Sequence, residues 1–345
     1  MPEPQVLPIK PVVFGIFVEA VLLLLADALH PPYSVHFFTL PMRNTFINTI
    51  IDACKTNPDV FIISGDAGLG VFDDFQNEYR DRFLNLGVAE QNMVSFAAGL
   101  SMTGFKVYLY NIIPFVLYRC YEQVRNDICY QELPVTLVGI GSGVTYAPQG
   151  MTHYSVEDLG VAQTLPNLKV FSPIDPIEAR LAARYSISSR SPVYVRLAKR
   201  GEPNIHKNED FDITEPQLIE DGKDVAILFH GSIGLEVLKA RGLLAGDGVF
   251  PRLISVPLVM PVTIEKLLCL LKGIKCVVTV EEHFLNSGFG SILSREYVKM
   301  RPEWKLFTLG ITDGFIHVIK DSDAMREHFG ISAARIAEFI RKMAM

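Results

Sequence analysis

Basic residues are too few to mark a nucleic-acid partner. There are 32 lysines and arginines against 38 aspartates and glutamates, a net charge of -6 and a pI near 5.8. A nucleic-acid footprint needs a basic patch or stripe, so DNA and RNA are excluded as main partners. Cysteine is also scarce. The five (Cys54, Cys120, Cys129, Cys269, Cys276) are odd in number, form no C-x-x-C pair and offer no zinc spacing. Most sit in apolar surroundings, which reads as buried free thiols in a reducing, cytoplasmic compartment. Charged residues are only 20% against 49% hydrophobic, so the chain is globular rather than disordered. Internal repeats and low-complexity tracts are missing too. The one long apolar run, 12–29, centred on Leu22-Leu23-Leu24-Leu25, is interrupted by Glu19 and Asp27. A spanning helix wants about 20 apolar residues with few charges. A signal peptide wants a basic start and a small-residue cleavage site, whereas here Glu3 and Lys10 cancel and the run enters His30-Pro31-Pro32. Residues 1–41 are therefore expected to be an apolar extension, either a buried or partner-facing helix or a segment unrelated to the fold. Membrane association through 12–29 and a signal peptide are the alternatives; a start at Met42 leaves a complete domain behind it.

What is present is a regular alternation of helical and strand patterns. Helices are expected over 44–55, 92–103, 115–130, 155–165 and 176–188, and strands over 60–64, 106–110, 134–140, 169–172 and 192–196. Residues 201–223, rich in Pro, Asn, Asp and Glu, read as a linker between a first domain at 42–200 and a second at 224–345. In the second domain, strands are expected over 224–229, 251–256, 276–280 and 305–309, with helices over 233–244, 264–271, 288–297 and 333–343. The fold class is α/β, two doubly wound domains with parallel sheets covered on both faces. Ligands bind beyond the carboxyl ends of strands in such sheets. Gly65-Asp66, the stretch from Tyr110 to Phe115, and the loop from Gly141 to His153 all fall at such ends and are expected to converge.

The chain is organised around Asp81-Arg82-Phe83-Leu84-Asn85-Leu86-Gly87-Val88-Ala89-Glu90-Gln91-Asn92-Met93. Glu90 opens a helix that continues Met93-Val94-Ser95-Phe96-Ala97-Ala98-Gly99-Leu100, apolar nearly all round and hence expected to be buried. Two readings of Glu90 stand side by side: an acid favoured by the helix dipole, or a buried acid held for proton transfer. His153, in a glycine-rich loop, is either structural or an imidazole able to donate and accept near pH 7. Tyr108, Tyr110, Phe115, Tyr118 and Tyr121 read as core aromatics, with Phe115 and Tyr118 placed where a flat heterocycle could stack. Glu281-Glu282-His283 reads as surface or interface acids. Gly246-Asp247-Gly248 reads as a turn closing a helix, since no paired asparagines follow it.

The segment from Arg82 to Met93, then Ala97-Ala98-Gly99-Leu100, resembles the pyrimidine-binding domain of the transketolase family. Gly150-Met151-Thr152-His153 with Glu157-Asp158, Leu165-Pro166-Asn167-Leu168-Lys169-Val170 and Pro173-Ile174-Asp175 continue the likeness. Gly231-Ser232 and Val280-Glu281-Glu282-His283 with Gly288-Phe289-Gly290 are similar to the C-terminal domain shared with deoxyxylulose-phosphate synthases. These residues hold no counterpart of the diphosphate-binding domain. The resemblance therefore implies the C-terminal subunit of a split transketolase, transferring a two-carbon ketol unit between sugars. The wording around Gly65-Asp66-Ala67-Gly68 also resembles stand-alone halves encoded near unusual-sugar and polysaccharide genes.

By the same resemblance, Glu90 corresponds to the glutamate that hydrogen-bonds and protonates the pyrimidine of thiamine diphosphate, the electron sink of the reaction. Phe115 and Tyr118 correspond to aromatics packed on that ring, and Asp66 to an acid beside the cofactor. His153 corresponds to a histidine near the substrate hydroxyls. Arg43, and Arg196 or Arg200, are implied phosphate contacts. Thiamine diphosphate and Mg²⁺ are expected to be held mainly by a partner chain, the diphosphate-binding N-terminal subunit, in a two-plus-two assembly; no metal site is expected on this chain. The departures are Gln149 in place of an acid, Gly141 in place of a histidine, Gly70 in place of a serine and Tyr154 in place of a glutamine. They imply a substrate other than an ordinary pentose phosphate. The alternatives are a deoxyxylulose-phosphate-synthase-like enzyme or the β-subunit of a 2-oxoacid dehydrogenase, and a non-catalytic paralogue serving assembly or regulation.

Overall fold

The computed structural model describes residues 40–344 apart from 69, 200 and 313. The apolar run at 12–29 and Arg200 lie outside the described residues. Among the described residues no helix is long and apolar enough to cross a membrane.

Helix α1 (Met42–Cys54) forms where Phe46, Ile47, Ile50 and Cys54 recur at helical spacing and become its buried face. Strand β1 (Val60–Ser64) follows. A short helix α2 (Asp73–Glu78) and strand β2 (Phe83–Asn85) come next. Helix α3 (Glu90–Met102) leads to β3 (Lys106–Ile112), then β4 (Thr136–Ile140), α4 (Asp158–Ala162), β5 (Lys169–Phe171), α5 (Pro176–Ser188) and β6 (Val193–Leu197). Helix α5 begins as its sequence dictates. The Asp175 carboxylate accepts from the Glu178 amide at 2.8 Å, and Pro176 occupies the first turn, where its missing N–H costs nothing.

The second half runs β7 (Gln217–Glu220), β8 (Asp224–Phe229), α6 (Gly234–Ala245), β9 (Arg252–Ser255), β10 (Leu258–Met260), α7 (Ile264–Leu270), β11 (Ile274–Phe284), α8 (Phe289–Met300), β12 (Lys305–Ile311), α9 (Ser322–His328) and α10 (Ala333–Ala344). Two mainly parallel sheets result, a seven-stranded one in the order β10-β5-β6-β4-β3-β1-β2 and a five-stranded one in the order β12-β11-β8-β9-β7. Strand β10 belongs to the second half of the sequence, yet it pairs antiparallel with β5 at the edge of the first sheet. Strand β7 lies in the stretch expected to be linker and pairs antiparallel with β9.

Helices cover both faces of the first sheet. One core packs α1 and α5 with Phe72, Phe75, Val138 and Val195. The opposite core packs α3 and the segment after β3, and runs on into the second half through Ala226, Leu228, Val277 and Phe289. The halves are also joined by a buried polar network. Arg196 donates from Nε to Asp158 at 2.7 Å, Tyr194 donates to the same carboxylate at 2.7 Å, and His283 Nε2 accepts from the Leu159 amide at 3.1 Å. Glu281 and His283 lie fully inside this network, and Glu282 is buried beside it, bonded to Ser232 and Arg326. These are buried structural groups rather than surface ones: Glu281 accepts from the Phe289 and Gly290 amides within the second half, while Glu282 reaches the first half through the Val144 amide at 3.3 Å.

Two expectations about helices need correction. Helix α3 is not buried all round: Phe96 is 42% and Met102 60% exposed, so one side of it faces outward in this chain. The expected helix over 115–130 is broken into wide turns closed by i→i+5 bonds, Arg119 N–H to Pro114 O at 3.0 Å and Tyr130 N–H to Arg125 O at 2.8 Å. Such π-type widenings interrupt the regular 3.6-residue rotation and often serve functional sites. Of the thiols, Cys54, Cys120 and Cys129 are buried as expected, whereas Cys269 is exposed.

Candidate active site

Strands β6, β4, β3 and β1 are neighbours in the first sheet. Their carboxyl ends therefore bring Lys199, the 141–153 loop, Phe115 and Gly65-Asp66 to one edge. The glycine at 65 is required by close approach, because a Cβ there would sit 2.4 Å from Nδ2 of Asn111, whose amide donates to the Gly65 carbonyl at 3.2 Å.

Glu90 is the first residue of α3 and only 4% exposed. Its Oε1 accepts from Arg119 at 2.7 Å, and among the described residues no hydrogen bond holds its Oε2. The widened turn after β3 swings Arg119 onto both groups it serves. Its guanidinium also lies 4.3 Å from the centre of the Phe115 ring. Phe115 meets the His153 ring edge-on at 5.4 Å, and His153 stands 5.9 Å from Tyr146. Lys199 Nζ lies 4.2 Å from the centre of the Tyr146 ring. A continuous line of contacts thus runs from a buried acid, through an arginine, a phenyl ring, an imidazole and a phenol, to an exposed ammonium.

Electrostatics along this line follow burial. Partial burial, and then the Lys199 charge, lower the pKa of His153 and keep its imidazole neutral near pH 7. Its Nδ1 is 2.9 Å from the Thr152 hydroxyl, which leaves Nε2 for a ligand. Burial pushes the Cys120 thiol, close to Glu90, up to about 12, so it stays protonated and inert. Tyr118 turns away from the line. Its hydroxyl donates to Glu157 Oε2 at 3.3 Å, and burial holds it protonated. The carboxyl of Glu157 is raised by burial and by the neighbouring Asp158. With Tyr121, Thr164, Phe284 and Asn286 these two line a cleft of about 750 Å³.

The remaining expected residues fall as follows. Asp66 is exposed in a left-handed conformation at φ 53°, its amide bonded to Asn85 Oδ1 at 3.0 Å. The Arg43 charge acts on the hydroxyls of Tyr110 and Tyr146, at the same end as Lys199. Gln149 is exposed on the loop before His153. Arg196 is a correction. It is 2% exposed and its guanidinium is committed to Asp158, Ser172 and the Ser155 carbonyl, with His230 Nδ1 of the second half 3.4 Å away, so it belongs to the buried network and cannot reach a phosphate. Among the described residues, the exposed cation past this strand is Lys199, three residues on, which the sequence pattern does not single out. Its signal is position alone, just past a buried strand.

The acid, the rings and the free Oε2 fit a flat heterocycle that needs one hydrogen bond from a carboxyl group and an aromatic wall. Comparison with known proteins agrees in kind. Residues 39–203 match the family described as transketolase, pyrimidine binding domain, and residues 215–336 match transketolase, C-terminal domain. The chain is 33% identical over 86% of its length to one of the subunits of the apulose-4-phosphate transketolase of Actinobacillus succinogenes, covering 96% of that polypeptide. It is 28% identical over 89% of its length to a 6-deoxy-6-sulfo-D-fructose transketolase subunit of a Clostridium species, covering 96% of it. Among solved structures, a split-gene transketolase described as an inactive β4 tetramer superimposes with a TM-score of 0.78 at 27% identity, over 89% of this chain and 98% of that one.

Proposed function

This chain belongs to the transketolase family, and from that membership we propose that it is the C-terminal subunit of a split enzyme transferring a two-carbon ketol unit between sugars. The observation that carries this reading is the unbroken line of contacts from Glu90 to Lys199. One end suits an aminopyrimidine and the other an anionic sugar tail.

Membership implies dependence on thiamine diphosphate, which when bound supplies the nucleophilic carbon and the electron sink. On this chain Glu90 would hold the pyrimidine through Oε2, acting as general acid at the ring nitrogen. Arg119 fixes the carboxyl group by occupying Oε1. Phe115 supplies an aromatic wall and Asp66 lines the cofactor side, while Tyr118, turned toward Glu157, would contribute only from the adjoining cleft. His153, kept neutral, donates or accepts at a sugar hydroxyl through Nε2. Arg43 and Lys199 attract the terminal anion, and Gln149 borders the same mouth. The diphosphate and Mg²⁺ belong to an N-terminal partner chain in a two-plus-two assembly, in the cytoplasm.

Two relatives act, by name, on apulose 4-phosphate and on 6-deoxy-6-sulfo-D-fructose. Both names support a modified ketose here as well. The test is reconstitution with a diphosphate-binding partner chain. The purified single chain is expected to show no ketol transfer, and the two-chain enzyme to use phosphate- or sulfonate-tailed modified ketoses better than xylulose 5-phosphate. Robust turnover by this chain alone, or a preference for xylulose 5-phosphate, overturns the respective half of the proposal.

A further inference from the structure

Gly141 turns the chain at the carboxyl end of β4 with φ +95°, and a Cβ there would lie 2.0 Å from Cδ2 and 2.4 Å from Cε2 of Tyr146. The space that a side chain at 141 would fill is occupied by the Tyr146 ring. The same ring carries the Lys199 ammonium at 4.2 Å and stands 5.9 Å from His153, tilted by 51°. Its hydroxyl feels the Arg43 charge. The wall between the imidazole and Lys199 is therefore the aromatic ring of Tyr146.

We propose that Tyr146 is a specificity-determining residue, selecting phosphorylated ketoses whose carbon next to the phosphate-bearing end lacks a hydroxyl. The inference rests on the ketol-transfer reading above and deepens it. A sugar tail reaching from His153 to Arg43 and Lys199 must pass the Tyr146 ring. A C–H group packs against that carbon surface without loss, whereas a hydroxyl pressed there gives up its water partners and gains none. A site that hydrogen-bonds the hydroxyl would show the opposite preference, because its own polar group would be left unpaired by the deoxy compound. Sequence at position 141 alone records only a missing side chain. The structure adds what replaced it.

The experiment uses the reconstituted two-chain enzyme with three donors: xylulose 5-phosphate, its 4-deoxy analogue, and hydroxypyruvate, which has no sugar tail. The wild-type ratio of kcat/KM for the deoxy over the parent donor is expected to exceed about 10, within the discrimination one apolar wall can give. Tyr146→Phe keeps the carbon surface and should hold that ratio within about threefold. Tyr146→Asn places a donor and an acceptor on the wall and should lower it by about tenfold or more. A wild-type ratio near one, or a ratio unmoved in a folded Tyr146→Asn enzyme, overturns the assignment while hydroxypyruvate turnover leaves the ketol-transfer reading standing. Where Tyr146→Asn does not fold, the wild-type ratio decides. Absence of ketol transfer from hydroxypyruvate overturns the reading and the assignment together.

Discussion

Glu90 has one carboxylate oxygen held by Arg119 and, among the described residues, no hydrogen bond on the other, and that asymmetry sets what its variants should do. Glu90→Gln keeps the size and an acceptor for Arg119 but cannot give a proton to a ring nitrogen. General acid–base contributions of this kind are worth about 10²–10⁴ in rate, so ketol transfer by the reconstituted variant should fall on that scale at saturating cofactor. Stability should change little, because the amide oxygen of the substituted side chain can still accept from Arg119, whose own side chain is 43% exposed and can also turn to water. Near-wild-type rates remove Glu90 from the mechanism. The acid is legible in the sequence because a carboxylate at the head of an apolar helix is anomalous. Lys199 is not, because arginines on either side of it match phosphate chemistry better by type. Only the fold reveals that Arg196 points into a buried network while Lys199 lies beyond the strand.

Among the elements, those with a cap or a clean apolar run are the readable ones. Strand β1, helix α5 and strand β8 have the bounds their sequences suggest, β1 and β8 as short apolar runs and α5 by its Asp-Pro start. Strand β7 reads as linker because Gln217-Leu218-Ile219-Glu220 is too short to show alternation, and its partner β9 lies far along the chain. The widened turns after β3 have no sequence signature, since periodicity alone reads 115–130 as one regular helix. A prediction belongs at this scale. Asp175 accepts from three amides, those of Glu178, Ile205 and His206, each at 2.8 Å, and so ties the start of α5 to the segment after β6. Asp175→Ala should cost about 2 kcal/mol or more, the upper end for a lost cap, because buried donors are left unmet. Asp175→Asn should lose less. Urea midpoints for both variants check this, with cleavage by protease near 205–211 as a local readout. Equal stability of Asp175→Ala and wild type rules the tie out.

The whole molecule carries opposed titrations in its interior. Burial lowers the pKa of His230 and His283 below the ordinary 6.5. The folded state then binds fewer protons than the unfolded state, so these histidines contribute stability above about pH 6.5 that is lost as pH falls through their folded values. Burial raises Glu178 and Glu202 from 4.5 to about 7, so their contribution has the other sign, present below about pH 4.5 and lost as pH rises through 7. The two contributions oppose each other across this window, and removing either should tilt the curve in its own direction. His283→Gln keeps an acceptor for the Leu159 amide and a donor for the Phe284 carbonyl, and should gain stability relative to wild type between about pH 7.5 and 5.5. Glu178→Gln should lose relative stability over the same interval. Denaturant midpoints at the two pH values test both signs, and parallel curves for either variant reject its assignment.

Strand β10 also fixes an order in time. The edge of the first sheet next to β5 is supplied by residues Leu258–Met260, so a ribosome must deliver about a third of the second domain before the first can be sealed. Until then the nascent chain carries a sheet edge with unpaired amides and carbonyls, open to pairing with any neighbouring strand. Residues 40–200 produced as a fragment should accordingly aggregate, whereas a chain continued past residue 261 brings its own edge strand. Synthesis that pauses between those points would lengthen the exposure, which makes this stretch the natural one for a chaperone to guard.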